Sequence, residues 1–263
     1  MDVIAADLSR ELDYIELHIF SDWHIGDVNC KMDEIEAEIE EVKSKPNAYC
    51  ILNGDLVNNA TKASVSDMYA ETMSPQEQID LLCELLMPIK DKILMITRGN
   101  HEKRTSRESG IDLSAVVAGM LGCISKYTQD GGVLFIKFGQ ESRGRTDYKG
   151  NVRKKLYTAY VTHGTGGGRK EGAKAIRLAD MAAIVDADIY IHSHTHLPLV
   201  MKQGFFRIDK QHSRVESVEK LFVNSSAKLG YGGYGQANEF KPNSTASPVI
   251  LLNGTKREIA VRM

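Results

Sequence analysis

Three short apolar-rich runs, Ile15 to Phe20, Ala48 to Leu52 and Ile93 to Thr97, are separated by stretches in which apolar residues recur at helical spacing. This alternation constrains the fold more than any other feature of the chain. Runs of five or six residues bounded by polar punctuation suit buried strands better than helices. Between the first two, Met32, Ile35, Ile39 and Val42 fall on one helical face before Pro46 interrupts it. Between the second and third, Ser74-Pro75-Gln76-Glu77 is a capping box with proline at the first helical position, followed by the stripe Ile79, Leu82, Cys83 and Leu86. Ile111 to Leu121 reads as a further helix. The order βαβαβ favours parallel pairing and a layered α/β domain.

The second half is richer in strands: Val133 to Phe138, Leu156 to Thr162, Asp188 to His192, Pro198 to Lys202, Phe205 to Ile208, Leu221 to Asn224, Val249 to Leu252 and Glu258 to Arg262. One helix is expected around Gly172 to Val185. No repeat and no linker interrupts the pattern, so residues 1–263 are expected to form one domain. Two long connections stand out, a basic one over 140–155 and a Gly/Tyr-rich one over 229–248, and connections of that length are usually functional or mobile.

Charge and composition exclude several classes of protein. The 33 basic and 35 acidic side chains leave a net charge of −2, so no global field recruits nucleic acid or membrane. A 42% apolar content is too high for disorder. No apolar run approaches the ~18 residues of a membrane span. Cys30, Cys50, Cys83 and Cys123 are scattered and form no CxxC pair, which argues against a disulfide framework or thiolate zinc site and fits a reducing compartment. The N-terminal segment carries acidic residues and lacks a basic stretch followed by an apolar one, so a cytoplasmic location without a signal peptide is expected.

Five of the 8 histidines stand just beyond expected strands. Asp22 and His24 lie in S-D-W-H-I-G-D, Asp55 in N-G-D, Asn100 and His101 in R-G-N-H-E, His163 in T-H-G-T-G-G-G, and His194 and His196 in H-S-H-T-H. Strand carboxyl ends converge on the ligand crevice of an α/β sheet, so five such punctuations point to one site. Carboxylate, imidazole and amide oxygen without thiolate suit Mn²⁺, Fe²⁺ or Zn²⁺ better than Ca²⁺ or copper. Seven candidate ligands exceed what one tetrahedral ion takes but suit two ions sharing a carboxylate, a clamp for phosphoryl groups.

These motifs, in this order, resemble the calcineurin-like metallophosphoesterase family, from Asp22 to His196 and weakly through V-N-S-S at Val223 to Ser226. The resemblance implies a four-layer α/β/β/α sandwich with mixed sheets and a dimetal centre at the sheet ends. It implies that Asp22, His24 and His196 hold one ion and Asn100, His163 and His194 the other, with Asp55 bridging. His101 would act on the leaving oxygen while a metal-bridging hydroxide attacks phosphorus in line. Two divalent ions are implied, Mn²⁺ favoured and Fe, Zn or Ni as alternatives. The chain departs from the family at Ser193, where glycine usually precedes the H-x-H.

The remaining residues are weighed against plainer roles. His192 is read as packed or orienting a ligand, His18 and His212 as structural or solvent-facing, and Asp27 as a turn residue or a ligand's partner. The acidic residues of 33–41 read as the solvated face of a helix. Three basic groups are harder to dismiss: Arg98, Lys103, Arg104 and Arg107; Arg169, Lys170, Lys174 and Arg177; and Arg143, Arg145, Lys149 and Arg153 to Lys155. Together they suggest a polyanionic substrate, with Asn100, Arg104 and Arg169 touching it and Tyr148 able to stack on a base. Gly164 and Gly166 to Gly168 could bring backbone N–H groups to a phosphate or serve as a hinge. The expected activity is phosphodiester hydrolysis of nucleic acid, DNA or RNA, or of nucleotides. A phosphomonoesterase or phosphoprotein phosphatase is the first alternative and a non-catalytic scaffold the second.

Overall fold

Residues 63, 65, 66, 141–145, 147–149, 151 and 169, and the side chain of Tyr234, lie outside what the computed structural model describes. Among the others, two six-stranded mixed sheets pack face to face with helices on their outer surfaces. The first sheet contains β2 (Tyr14–Phe20), β3 (Ala48–Asn53), β4 (Ile93–Thr97), β5 (Tyr127–Thr128), β11 (Val249–Asn253) and β12 (Ile259–Arg262), in the order β12-β11-β2-β3-β4-β5. From β2 to β5 its strands run parallel. The second contains β1 (Asp2–Asp7), β6 (Gly132–Phe138), β7 (Lys155–Val161), β8 (Ile189–His192), β9 (Leu199–Asp209) and β10 (Arg214–Asn224), in the order β1-β6-β7-β8-β10-β9. Its central strands β7, β8 and β10 are parallel.

Alternation along each strand explains the layering, because successive side chains point to opposite faces. On β2, Ile15, Leu17 and Ile19 enter the core between the sheets, where they meet Leu134, Tyr157, Ile189 and Val223. Phe20 points the other way, into a second core formed by α1 (Met32–Ser44), α2 (Pro75–Leu86) and α4 (Leu113–Met120). Helix α5 (Glu171–Asp180) and the turn after it cover the far face, burying Leu178 and Met181 against Tyr190 and Phe222. Each fully buried Ile or Leu contributes about 1.5–3 kcal/mol.

The expected elements are present, with informative differences. The capping box of α2 is closed: Ser74 N–H donates to Glu77 Oε2 at 2.7 Å and Glu77 N–H to Ser74 Oγ at 3.4 Å. The two runs expected at 198–202 and 205–208 form one strand, β9, whose ladder with β10 passes through Gly204 opposite Glu219. Exposure of both faces there removes the apolar alternation without ending the strand. Strand β1 was not expected; it is half exposed and held by parallel pairing to β6. Nor was α3 (Glu102–Ser109), which is polar nearly all round and buries only Glu102.

The acidic face of α1 is not simply solvated. Glu41 pairs with Lys45 and Arg262, and Glu38 with the buried Lys228 at 2.7 Å. In the basic connection only part is described, and Arg153 to Lys155 sit at the start of β7, the opposite end from His163. Lys154 is tied there to Asp7, so these residues do not reach the candidate site.

Candidate metal centre

Every motif loop leaves the carboxyl end of a parallel strand: Asp22 and His24 after β2, Asp55 after β3, Asn100 and His101 after β4, His163 after β7, His194 and His196 after β8. Backbone bonds zip the loops together. Asp22 N–H donates to Gly54 O at 3.0 Å, His24 N–H to Asp55 O at 3.1 Å and Ser193 N–H to His163 O at 3.0 Å. Gly54 (φ +79°) and Gly99 permit the closest approach. A Cβ on Gly54 would stand 2.5 Å from Gly99, and one on Gly99 2.1 Å from Asp55 Oδ1.

The seven side chains form two adjoining groups. His24 Nε2 lies 3.2 Å from His196 Nε2, which lies 3.3 Å from Asp22 Oδ1. His163 Nε2 lies 3.2 Å from Asp55 Oδ2 and 3.3 Å from Asn100 Oδ1. The donor atoms of Asp22, His24 and His196 all lie within 4.8 Å of one another, as do those of Asp55, His163 and His194. Asp55 also groups with His24 and His101, so it stands between the two sets. Five of the seven, Asp22, His24, Asp55, His194 and His196, have φ between 51° and 66°. Non-glycine residues rarely occupy that left-handed region, and strain of this kind clusters at functional sites.

The electrostatics are those of a donor set. Burial raises the Asp22 carboxyl, but hydrogen bonding and charge from His196 outweigh it and hold it at about 2. Burial, with His101 and His196 beside it, keeps the imidazole of His24 neutral, and burial with His163 lowers His194 to about 4. His163 is opposite in sign: burial lowers it, yet Asp55 raises it to about 10. Ionised carboxylates and neutral imidazoles are the forms that bind cations, so Asp22, His24 and His194 already hold the binding form, whereas His163 must give up its proton to a cation that takes its place beside Asp55. Among the described residues His24 Nδ1 is buried without a hydrogen-bond partner, and such an atom ordinarily finds one. This orphaned nitrogen and the thiolate-free donors fit divalent cations.

His101 is held from both ring nitrogens. Its Nδ1 bonds Asn58 O at 2.7 Å, while Nε2 lies 3.0 Å from Arg104 and 3.8 Å from Asp55 Oδ2. His192 bonds Asn224 Oδ1 at 2.8 Å and packs against Gly164, whose Cβ would strike its ring at 2.1 Å. Asp27 orders a turn by accepting from Asn29, His212 is exposed beside Asp209, and His18 is buried on β2.

A cavity of about 430 Å³ opens onto the groups and is also lined by Arg104, Lys174, Gly166 to Gly168, Tyr231 and Phe240. Arg98 is instead buried in pairs with Asp112 and Asp130, and Lys103 and Arg107 do not line it. Arg143, Arg145, Tyr148, Lys149 and Arg169 lie outside the described residues.

A profile of the calcineurin-like phosphoesterases matches residues 17–198. The chain belongs to the calcineurin-like phosphoesterase family. That family binds two divalent metals and hydrolyses phosphate esters. No curated protein matches the chain. Among solved structures, it is similar to a metallophosphoesterase from Sphaerobacter thermophilus, at 12% identity, 91% coverage of this chain, 84% of that chain and TM-score 0.40. It is similar also to a Vps29 double mutant from Entamoeba histolytica, at 11% identity, 94% and 90% coverage and TM-score 0.45. A third is wild-type Vps29 complexed with zinc from the same organism, at 10% identity, 94% and 97% coverage and TM-score 0.37.

The contacts of two residues of the site were not read from the sequence. Glu102 is a buried carboxylate that accepts from Asp55, Leu56, Val57 and Gly99 backbone N–H groups. Its place in G-N-H-E was the available signal. Ser193 accepts from Asn53 Nδ2 at 2.6 Å and from Ser225 Oγ at 2.8 Å, and Ser225 meets Ser21 Oγ at 2.6 Å. The hydroxyl that departs from the family's usual glycine therefore links the two sheets beneath the site.

Proposed function

We propose that this chain is a dimetal phosphodiesterase acting on nucleic acid or nucleotides. The observation that supports the reading is the meeting of seven candidate ligands from five loops, an orphaned buried nitrogen of His24 among them, at a cavity that His24, Asp55, Asn100, His194 and His196 line together with Arg104 and Lys174. Asp22, His24 and His196 would hold one cation, Asn100, His163 and His194 the other, and Asp55 would be shared. The donor set suits Mn²⁺, Fe²⁺ or Zn²⁺, and the family resemblance favours Mn²⁺ among them. When bound, two such ions supply Lewis-acid charge and acidify water.

The remaining work falls to the chain's own residues. With Nδ1–H donating to Asn58 O and Nε2 accepting from Arg104, His101 lines the cavity with a neutral ring; once Nε2 takes up a proton it would pass that proton to the leaving oxygen or steady the oxygen's charge. Arg104, held against Asn58 O at 3.0 Å, adds positive charge beside it, and with Asn100 orients the phosphate. Arg169, which follows the cavity-lining Gly168 in sequence, is proposed to do likewise. We read residues 1–263 as one domain because both sheets share the inner core and both supply the site. Among the described residues no helix is long and apolar enough to cross a membrane, and the free cysteines support a cytoplasmic setting.

The test is hydrolysis of bis(p-nitrophenyl) phosphate and p-nitrophenyl phosphate by Mn²⁺-loaded protein. The diester should be hydrolysed faster, and His101→Ala should lower turnover at least a hundredfold while metal content is kept. Faster hydrolysis of the monoester would place the chain with the phosphomonoesterases or phosphoprotein phosphatases. Undiminished turnover by His101→Ala would remove that residue from the chemistry.

A further inference from the structure

The Gly/Tyr-rich connection lines the candidate site, and both of its ends are fastened. At the first, Lys31 N–H donates to Lys228 O at 2.9 Å, Gly230 N–H to Asn29 O at 2.8 Å, and Leu229 bridges Cys30 in antiparallel fashion. At the other, Thr245 O accepts from Ser226 Oγ at 2.9 Å and from Lys228 Nζ at 2.6 Å, and Ser247 Oγ meets Ser226 Oγ at 2.9 Å. Between them Lys241 crosses to Glu171, the first residue of α5, at 2.7 Å. Residues 229–232 and 240–244 thus form one wall of the cavity.

That wall presents an aromatic face opposite the polar side chains of the candidate ligands. Tyr231 is 55% exposed yet lines the cavity, next to a backbone anchored on the segment that follows Asp22 and His24. Phe240 and Leu197 extend the apolar surface, while Arg104 and Lys174 supply positive charge. Lys174 is held by Thr195 O at 2.8 Å. At about 430 Å³ the space lies at the small end of ligand cavities, which run roughly 300–1,000 Å³.

From this combination we infer that the site selects a phosphodiester bearing a single nucleoside, whose base stacks on Tyr231 while its phosphate meets the donor cluster. A strand is engaged at an end, or a free nucleotide ester is taken, and continuous polymer is not threaded through. The inference rests on the proposed phosphodiesterase activity and narrows its substrate.

The experiment compares two esters with the same leaving group, the p-nitrophenyl ester of thymidine 5′-monophosphate and methyl p-nitrophenyl phosphate, using Mn²⁺-loaded protein. The nucleoside ester should have kcat/KM about tenfold higher, a preference that Tyr231→Ala abolishes and Tyr231→Phe retains, since one stacked base is worth about that factor. By calorimetry, thymidine 5′-monophosphate should bind about tenfold tighter than inorganic phosphate, again only with an aromatic residue at 231. Equal kcat/KM for the two esters, a preference unaffected by Tyr231→Ala, equal affinities, or cleavage of closed circular single-stranded DNA would each overturn the inference and leave the phosphodiesterase reading standing. Turnover of neither ester would overturn both.

Discussion

The carboxylate of Glu102 accepts the backbone N–H of Asp55 at 3.0 Å, joining the loop after β4 to the loop after β3 across 47 positions of sequence. The same side chain accepts from Leu56 at 2.8 Å and from Gly99 at 3.0 Å. One buried carboxylate therefore fixes the backbone on both sides of the shared aspartate. Burial and the charge of Asp55 push Glu102 up to about 7, against the pull of its backbone donors.

Glu102→Gln puts an amide N–H₂ against backbone donors. Urea unfolding should show a loss of about 2–3 kcal/mol, the scale for charge-assisted bonds and stranded buried donors. Metal affinity should weaken about 10–100-fold in a titration of the same variant, as when a ligand's supporting partner is lost. An unchanged midpoint would show that those N–H groups find other partners.

Asp55→Asn removes the carboxylate that stands between the two donor groups. Elemental analysis after Mn²⁺ loading and dialysis should find two ions on the wild type and fewer on the variant. Mn²⁺ at about 100 times its Kd should stabilise the wild type by about 2.7 kcal/mol for each ion bound. Two retained ions in Asp55→Asn would contradict a shared ligand.

Ser193→Gly restores the family's usual residue but deletes the hydroxyl that receives Asn53 and Ser225. Both partners are buried, so the change should destabilise by about 1–3 kcal/mol in urea. Asn53 also accepts from Thr97 Oγ1 at 2.7 Å, and its backbone carbonyl bonds His163 Nδ1 at 2.6 Å. A weakened metal affinity should accompany the lost stability; stability equal to wild type would argue against a structural role for this hydroxyl.

His18 gives a pH dependence remote from the metal ligands. Burial lowers it from 6.5 to about 4, although Glu41 and Glu16 face it; Arg262 and Lys45 add to the lowering. Between those limits the unfolded chain takes up a proton that the folded chain refuses, so this contribution to stability is complete above 6.5 and lost as pH falls towards 4. From pH 6.5 to 5 the loss should be about 2 kcal/mol. Chemical denaturation of wild type and His18→Leu at both pH values isolates the effect, and parallel pH slopes would disprove it.

Much of this was legible before any fold was known. The short apolar-rich run Ile15 to Phe20 announced a buried strand, Ser74 and Glu77 announced a helix start, and the polar motifs marked strand ends. Helix α3 was not legible because it has no apolar stripe; it is held by its first residue, Glu102, rather than by a buried face. Strand β1 was missed because only one neighbour, β6, defines it. The basic segment at 153–155 was misjudged because strand direction, which puts it at the far end from His163, is a property of the assembled sheet.

The sequence by itself determined which side chains could bind cations and that they stand at strand ends, because backbone periodicity and residue chemistry are local. Only the tertiary structure decided that Asp55 lies between two donor groups, that Ser193 joins the sheets and that Tyr231 walls the cavity. Those relations depend on close approach between segments far apart in the chain, at Gly54 and Gly99 and at the anchored ends of 229–248. No local pattern records a distance of that kind, since it is set by how the two sheets pack.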